Sequence, residues 1–304
     1  MNQHDHQPWP VFWVRSDNSI LAGKNLNWRD PSGLICSEGC YHYEGRRSLR
    51  EEYPLARLLV TRTKQLKGAW TSVVSYWGDG NNYFHWITDS LTRLMLAEHL
   101  PEPVRIIIPF AESPYVLDSL KLLGLAEKCE MFEAKSLQVE RFYFSSPTAM
   151  TGAWNPLGWD WLRSRFRPHF NTASSGKPIF LTRRASSRIP EMLEQIESMF
   201  SNAGFEILDC GKLTVLQQIK AASGAPAIAG IHGAAMTNII WGSPCTSVLE
   251  LFQPGYLNAC YEQIAYQGDM NYSAVILEGE WPLTGIAEWL NCLRPSLMMA
   301  ASAS

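Results

Sequence analysis

From Pro178 onward the chain alternates short β-branched or aromatic runs with segments of helical period, and this alternation restricts the fold more than any other feature of the sequence. PIFLTR reads as a strand, and IPEMLEQIESMFSNAG as a helix closed by Gly204 just past its end. The pattern continues through FEIL (Phe205 to Leu208), a helix capped by Thr214, the strand PAIAGI (Pro226 to Ile231), a helix from about Ala234, and SVLELF (Ser247 to Phe252). Two further pairs are expected, ending near Leu293, with a loose tail over 295–304. Strands joined by helices of about 10 to 15 residues require parallel crossovers. The expectation is therefore a doubly wound α/β sheet that takes its ligand at the carboxyl ends of its strands.

The N-terminal half uses the same vocabulary less regularly. WTSVVSYW and VRIIIPF read as strands, Asn82 to His99 as a helix, and a second helix opens at Ser113-Pro114 and closes at Gly124. Asn155-Pro156 opens a Trp- and Arg-rich helix running to about Phe170, and the polar stretch NTASSGK follows it. The division is placed there, giving domains over 1–170 and 171–294. Residues 1–55 show turn signals without a clear period.

Composition narrows the class. With 304 residues, 46% of them apolar, there is material for two ordinary cores. A formal net charge of −3 with no run of basic residues excludes the electrostatic footprint of a nucleic-acid binder. No window reaches the ~18 apolar residues of a spanning helix, and the first residues, MNQHDHQPWP, do not resemble a leader, so a cytoplasmic protein is expected. Scattered Trp and Arg are compatible with peripheral docking at the inner membrane face. The seven cysteines are odd in number and irregularly spaced. Cys36, Cys40 and His42 lack the second half of a zinc site, so reduced thiols and no resident metal are expected.

Three segments carry candidate chemistry. In GIHGAAMTN (Gly230 to Asn238) small residues stand where a strand turns into a helix. Unpaired N–H groups and the positive end of the helix dipole favour an anion there, with phosphate groups able to approach the backbone at Gly233 and Ala234. His232 adds a side-chain donor, and Thr237 and Asn238 either fix the turn or touch the ligand. Glu250, at the next strand, suits ribose hydroxyls. In LTRRASSR (Leu181 to Arg188), Arg183 and Arg188 are candidates for two-point pairing with phosphate, while Arg184 suits a surface role. In NYFHWITDSLTRL (Asn82 to Leu94), His85, Asp89 and Arg93 recur at intervals of four on one helical face. A carboxylate fixes an imidazole in one tautomer and raises its basicity, which proton abstraction from a hydroxyl needs.

These segments, in this order, resemble glycosyltransferase family 61, over roughly Trp70 to Leu277. NYFHWITDSLTRL looks like the family's Asn-x-x-His-x-x-x-Asp motif, and IFLTRR like its strand ending in Ser-Arg. GIHGAAMTNIIWGSP with VLELFQP looks like its Gly-x-His-Gly-Ala-x-x-Thr-Asn block followed by Glu and Pro. The resemblance implies a GT-B architecture, two Rossmann-like domains facing across a cleft, and an inverting transfer from a nucleotide-sugar donor to a glycan or lipid-linked glycan acceptor. A role in bacterial surface polysaccharide synthesis follows from the same likeness. Carried over by position, His85 and Asp89 are the catalytic pair, in the motif that Asn82 opens. Asn82 and Trp86 are set on the acceptor side, although a tryptophan here is more often core than a sugar-stacking platform. Arg183, His232, Gly233, Ala234, Thr237, Asn238 and Glu250 stand on the donor side. The chain departs from the pattern at Thr182 and at SRIPE, which bears on Arg188. No cofactor beyond the nucleotide-sugar co-substrate is implied, and with no Asp-x-Asp at a strand end the reaction is expected to be metal-independent. Either His85 or Asp89 serves as base. Two other classes stay open: a dinucleotide-dependent oxidoreductase, since Gly230, Gly233 and Glu250 loosely mimic its fingerprint, and a non-catalytic nucleotide-sugar-binding protein.

Overall fold

The computed structural model describes residues 11–22, 27–29, 63–74, 81–109, 113–132, 136–149, 153–171, 176–184, 190–278 and 282–302. Cys36, Cys40, His42 and Arg188 lie outside the described residues. The chain divides into two compact units, Met1–Leu162 and Arg163–Ser304. Each is a mixed α/β unit with its own sheet.

The first unit holds β1 (Trp13–Ala22), β2 (Asn27–Arg29), β3 (Lys64–Ser72), β4 (Arg105–Pro109), β5 (Cys129–Phe132) and β6 (Ser136–Ser145), in the order β2-β1-β6-β3-β4-β5. β6, β3, β4 and β5 run parallel, whereas β1 pairs antiparallel with both β2 and β6. Among the β1 residues whose burial is described, five are exposed and only Ser19 and Leu21 are buried, so the strand carries no alternating apolar signal for a sequence reading to detect. β3 begins at Lys64, ahead of the expected run, and shifts register between Leu66 and Ala69. Gly68 supplies the positive φ of +85° at that bulge. Leu21, Trp28, Trp70, Ile107, Phe142 and Phe144 meet in one core cluster, where Trp28 stacks on Phe144 at 5.0 Å.

The expected helix after Asn82 is a helical stretch over 83–97 whose pitch changes: α over Tyr83–His85, π over Trp86–Ser90, 3-10 over Leu91–Arg93, and α again over Leu94–Ala97. Asn82 opens it, its Oδ1 accepting from the Phe84 N–H at 3.0 Å. Helices Tyr115–Leu122 and Pro156–Phe166 stand where their proline starts place them.

The second unit holds β7 (Ile179–Leu181), β8 (Glu206–Leu208), β9 (Ala227–Ile231), β10 (Ser247–Phe252) and β11 (Asn271–Ile276). All are parallel, in the order β11-β10-β9-β7-β8. The chain steps outward from β7 to β8 and then back across β7 to β9, so strand order reverses between β7 and β9. Helices Leu193–Asn202 and Val215–Gly224 make the first two crossovers, the second opened by a Thr214/Gln217 capping box. Phe180, Phe200, Ala229, Leu249, Leu251 and Ile286 belong to the core under the helices Leu193–Asn202 and Pro282–Ser302. On the opposite face, a Cβ on Gly230 would meet Met236 Sδ at 2.7 Å, so this glycine allows the segment after β9 to lie close on the sheet.

After β10 the described residues add one further strand, β11, between the helices Cys260–Gln267 and Pro282–Ser302, where two further pairs were expected. The terminal residues expected as a loose tail continue that last helix to Ser302, in keeping with the high helix propensity of the Leu, Met and Ala residues there. Among the described residues no helix is long and apolar enough to cross a membrane.

Candidate active site

Ligands of open α/β sheets lie outside the carboxyl ends of the strands where strand order reverses. In the second unit that place is the end of β7 and β9, and two of the three candidate segments meet there. Arg183 follows β7, and its Nη1 donates to the carbonyl of His232, the residue after β9. A Cβ built on Gly233 would lie 3.0 Å from Arg183 Nη1 and 3.1 Å from Cζ, so the guanidinium lies against the backbone of the glycine. The following 3-10 segment, Ala234–Trp241, starts at this point, with Ala234 at its first position and partly exposed. Its first N–H groups have no acceptor within the segment, and a cation stands beside them.

Parallel pairing sets Glu250 opposite Gly230, so Glu250, His232 and Phe252 alternate onto one face of the sheet. Glu250 is wholly buried. Oε1 meets His232 Nδ1, and Oε2 accepts from the Tyr272 hydroxyl at 2.5 Å. Burial and the hydrogen bond to Glu250 push the Tyr272 phenol well above its usual range, so it stays a donor. The imidazole of His232 stacks on Phe252 at 5.0 Å and is flanked by Tyr256 and Tyr261. Tyr261 donates to the Gly233 carbonyl at 2.7 Å, fixing the same turn from the helix Cys260–Gln267.

Thr237 and Asn238 lie buried inside the 3-10 segment. Asn238 Nδ2 donates to Gln218 Oε1 at 2.8 Å and to the Ala235 carbonyl at 3.0 Å, which fixes the turn against the helix Val215–Gly224. Arg184 is a surface residue with a structural partner: it forks onto Glu197, which also accepts from Thr182.

In the first unit His85 Nδ1 and Asp89 Oδ2 are 2.9 Å apart, on the side of the helical stretch that is partly exposed. The Thr88 hydroxyl lies 2.7 Å from Asp89 Oδ1 and 2.9 Å from the Phe84 carbonyl. Arg93, the third residue of the expected series, is buried and donates to the Ser145 and Val74 carbonyls, holding the stretch to the ends of β6 and β3. Trp86 corrects another expectation. It is fully buried and its Nε1 donates to Ser119 Oγ at 2.9 Å, so the ring is part of the core and offers no face to a sugar. Asn82 is exposed and serves the helix start as its cap.

Tyr261, Tyr272 and Thr88 were not among the sequence candidates. Thr88 is legible as the i, i+1 neighbour of Asp89, but Tyr272 emerges only once the register of β10 with β11, Val248 opposite Tyr272, is known. Among the described residues no group of three or more His, Cys, Asp or Glu could hold a metal ion.

The profile of the family described as Glycosyltransferase 61 matches residues 83–249 of this chain, more than half of its 304 residues. The chain belongs to glycosyltransferase family 61. The match begins one residue after Asn82 and takes in His85, Asp89, Arg183 and the whole 230–238 segment, so it spans residues of both units. Glu250 and Tyr272 fall beyond its end. Comparison with curated proteins gives no match. Membership of family 61 indicates glycosyltransferase activity, which needs a sugar donor and an acceptor.

Proposed function

We propose that this chain is an inverting, metal-independent glycosyltransferase of GT-B type that moves a sugar from a nucleotide sugar to a glycan acceptor in bacterial surface polysaccharide synthesis. The nucleotide side is the second unit. Its diphosphate lies against the N–H groups that open the Ala234–Trp241 segment, with Arg183 and His232 supplying the side-chain contacts. The observation that carries this reading is the meeting of Arg183, His232 and Gly233 where strand order reverses, between β7 and β9. Glu250 then holds His232 in place of binding ribose, which its burial and two protein partners support.

In the transfer step the acceptor hydroxyl oxygen attacks the anomeric carbon, the bond from that carbon to the diphosphate oxygen breaks, and the nucleoside diphosphate leaves with the electron pair. Attack from the face opposite the leaving group inverts the centre. The hydroxyl proton goes to His85. Asp89 meets His85 Nδ1 through one oxygen and the Thr88 hydroxyl through the other, which suits it to orienting the ring for proton transfer. Positive charge from Arg183 and the backbone dipoles stabilises the departing diphosphate.

Kinetics of His85→Ala and Asp89→Asn test the base. Each variant should lose at least about tenfold in kcat while binding the nucleotide donor as the wild type does. If neither slows turnover, His85 and Asp89 are not the catalytic pair.

A further inference from the structure

The core of the second unit contains a carboxylate where the surrounding strand is apolar: Val248, Leu249 and Leu251 of β10 are as fully buried as Glu250 between them. A buried carboxylate is costly unless both oxygens find donors. Glu250 has one donor for each, His232 Nδ1 for Oε1 and Tyr272 for Oε2. The arrangement runs across three adjacent strands, from Tyr272 on β11 through Glu250 on β10 to His232 at the end of β9. On the His232 ring, Nδ1 is engaged by Glu250, while Nε2 has no hydrogen-bond partner among the described residues.

We propose that Tyr272 is a positioning residue for His232, acting through Glu250, so that the imidazole is held by Nδ1–H and presents Nε2–H to the donor diphosphate, a contact made by the ring with both nitrogens protonated. The proposal rests on the reading of His232 as a donor contact and extends it to a residue on a different strand. A carboxylate with one anchored oxygen can rotate about its terminal torsion. With both anchored, its plane is fixed, and the imidazole plane with it. Phe252, stacked on one face of the ring, limits the remaining freedom. A second-layer hydroxyl of this kind is replaceable in size by Phe, which removes the hydrogen bond and keeps the packing.

The test compares wild type with Tyr272→Phe in two measurements. The first is the nitrogen resonance of His232 in protein labelled with 15N-histidine, assigned by its loss in His232→Gln among the seven histidines. The second is calorimetric affinity for uridine diphosphate and guanosine diphosphate. The expected result is a displaced or broadened His232 resonance in Tyr272→Phe, together with about tenfold weaker nucleotide binding. A melting temperature that falls while the His232 resonance and the affinity stay at wild-type values would overturn the proposal, because a purely structural hydroxyl predicts that outcome. If wild type binds neither nucleotide, the donor reading fails on that measurement, and an unmoved His232 resonance is then the separate result that overturns the positioning role.

Discussion

Gly233 shows how one missing side chain can shape a site. Its Cβ would fall 3.0 to 3.3 Å from three atoms of the Arg183 guanidinium, the mobile end of a long side chain. Gly233→Ala should therefore displace the guanidinium without unfolding the protein. The expected outcome is a rise of several-fold in donor KM with the melting temperature almost unchanged, read from initial rates and a thermal melt. Residues whose partners are close in sequence were legible beforehand: the His85 and Asp89 pair follows from a spacing of four on a helix. Residues whose partners come from another strand were not. Glu250 was identified as a site residue, but its partner Tyr272 and its burial depend on strand register, which no local pattern carries. Trp86 was misplaced for a related reason, because adjacent helix positions differ by ~100° and the partner that receives its N–H, Ser119, lies on another helix.

At the scale of elements, the parallel strands of the second unit and most helix ends could be read from capping residues and β-branched runs. The π turn over Trp86–Ser90 could not, since its extra residue leaves no compositional mark. Such turns are frequent at functional sites, and this one lies between His85 and the start of the 3-10 turn at Leu91. The capping box at Thr214 makes a separate forecast: Thr214→Ala should cost about 1 kcal/mol in urea denaturation and leave nucleotide affinity unchanged. The end of β7 is tied to the helix Leu193–Asn202 by Glu197, whose carboxyl is held below the usual carboxylate range by Arg184, with Thr182 adding to the effect. A lowered folded value stabilises the protein above the unfolded value of about 4.3, and this contribution is lost as pH falls through the folded value. Melting temperatures followed from about pH 6 to about pH 3 should fall more steeply in wild type than in Glu197→Gln.

At the scale of the molecule, each unit has its own sheet and core, and the family 61 match runs from residue 83 in the first to residue 249 in the second. The C-terminal sheet was foreseeable as parallel, because crossover helices force that sense. Its order, and the antiparallel β1 added to the N-terminal sheet, were not foreseeable, because pairing partners far apart in sequence leave no periodic signal. Binding of a nucleotide sugar by the second unit, as proposed, is tested by a thermal-shift screen of the whole chain. Nucleotide sugars, free nucleotides and NAD(P) are compared with and without a chelator. At about a hundred times the dissociation constant a ligand adds roughly 2.7 kcal/mol of stability, a readily measured shift. Stabilisation by a nucleotide sugar, surviving the chelator, is the expected result. Stabilisation by NAD(P) alone would contradict it.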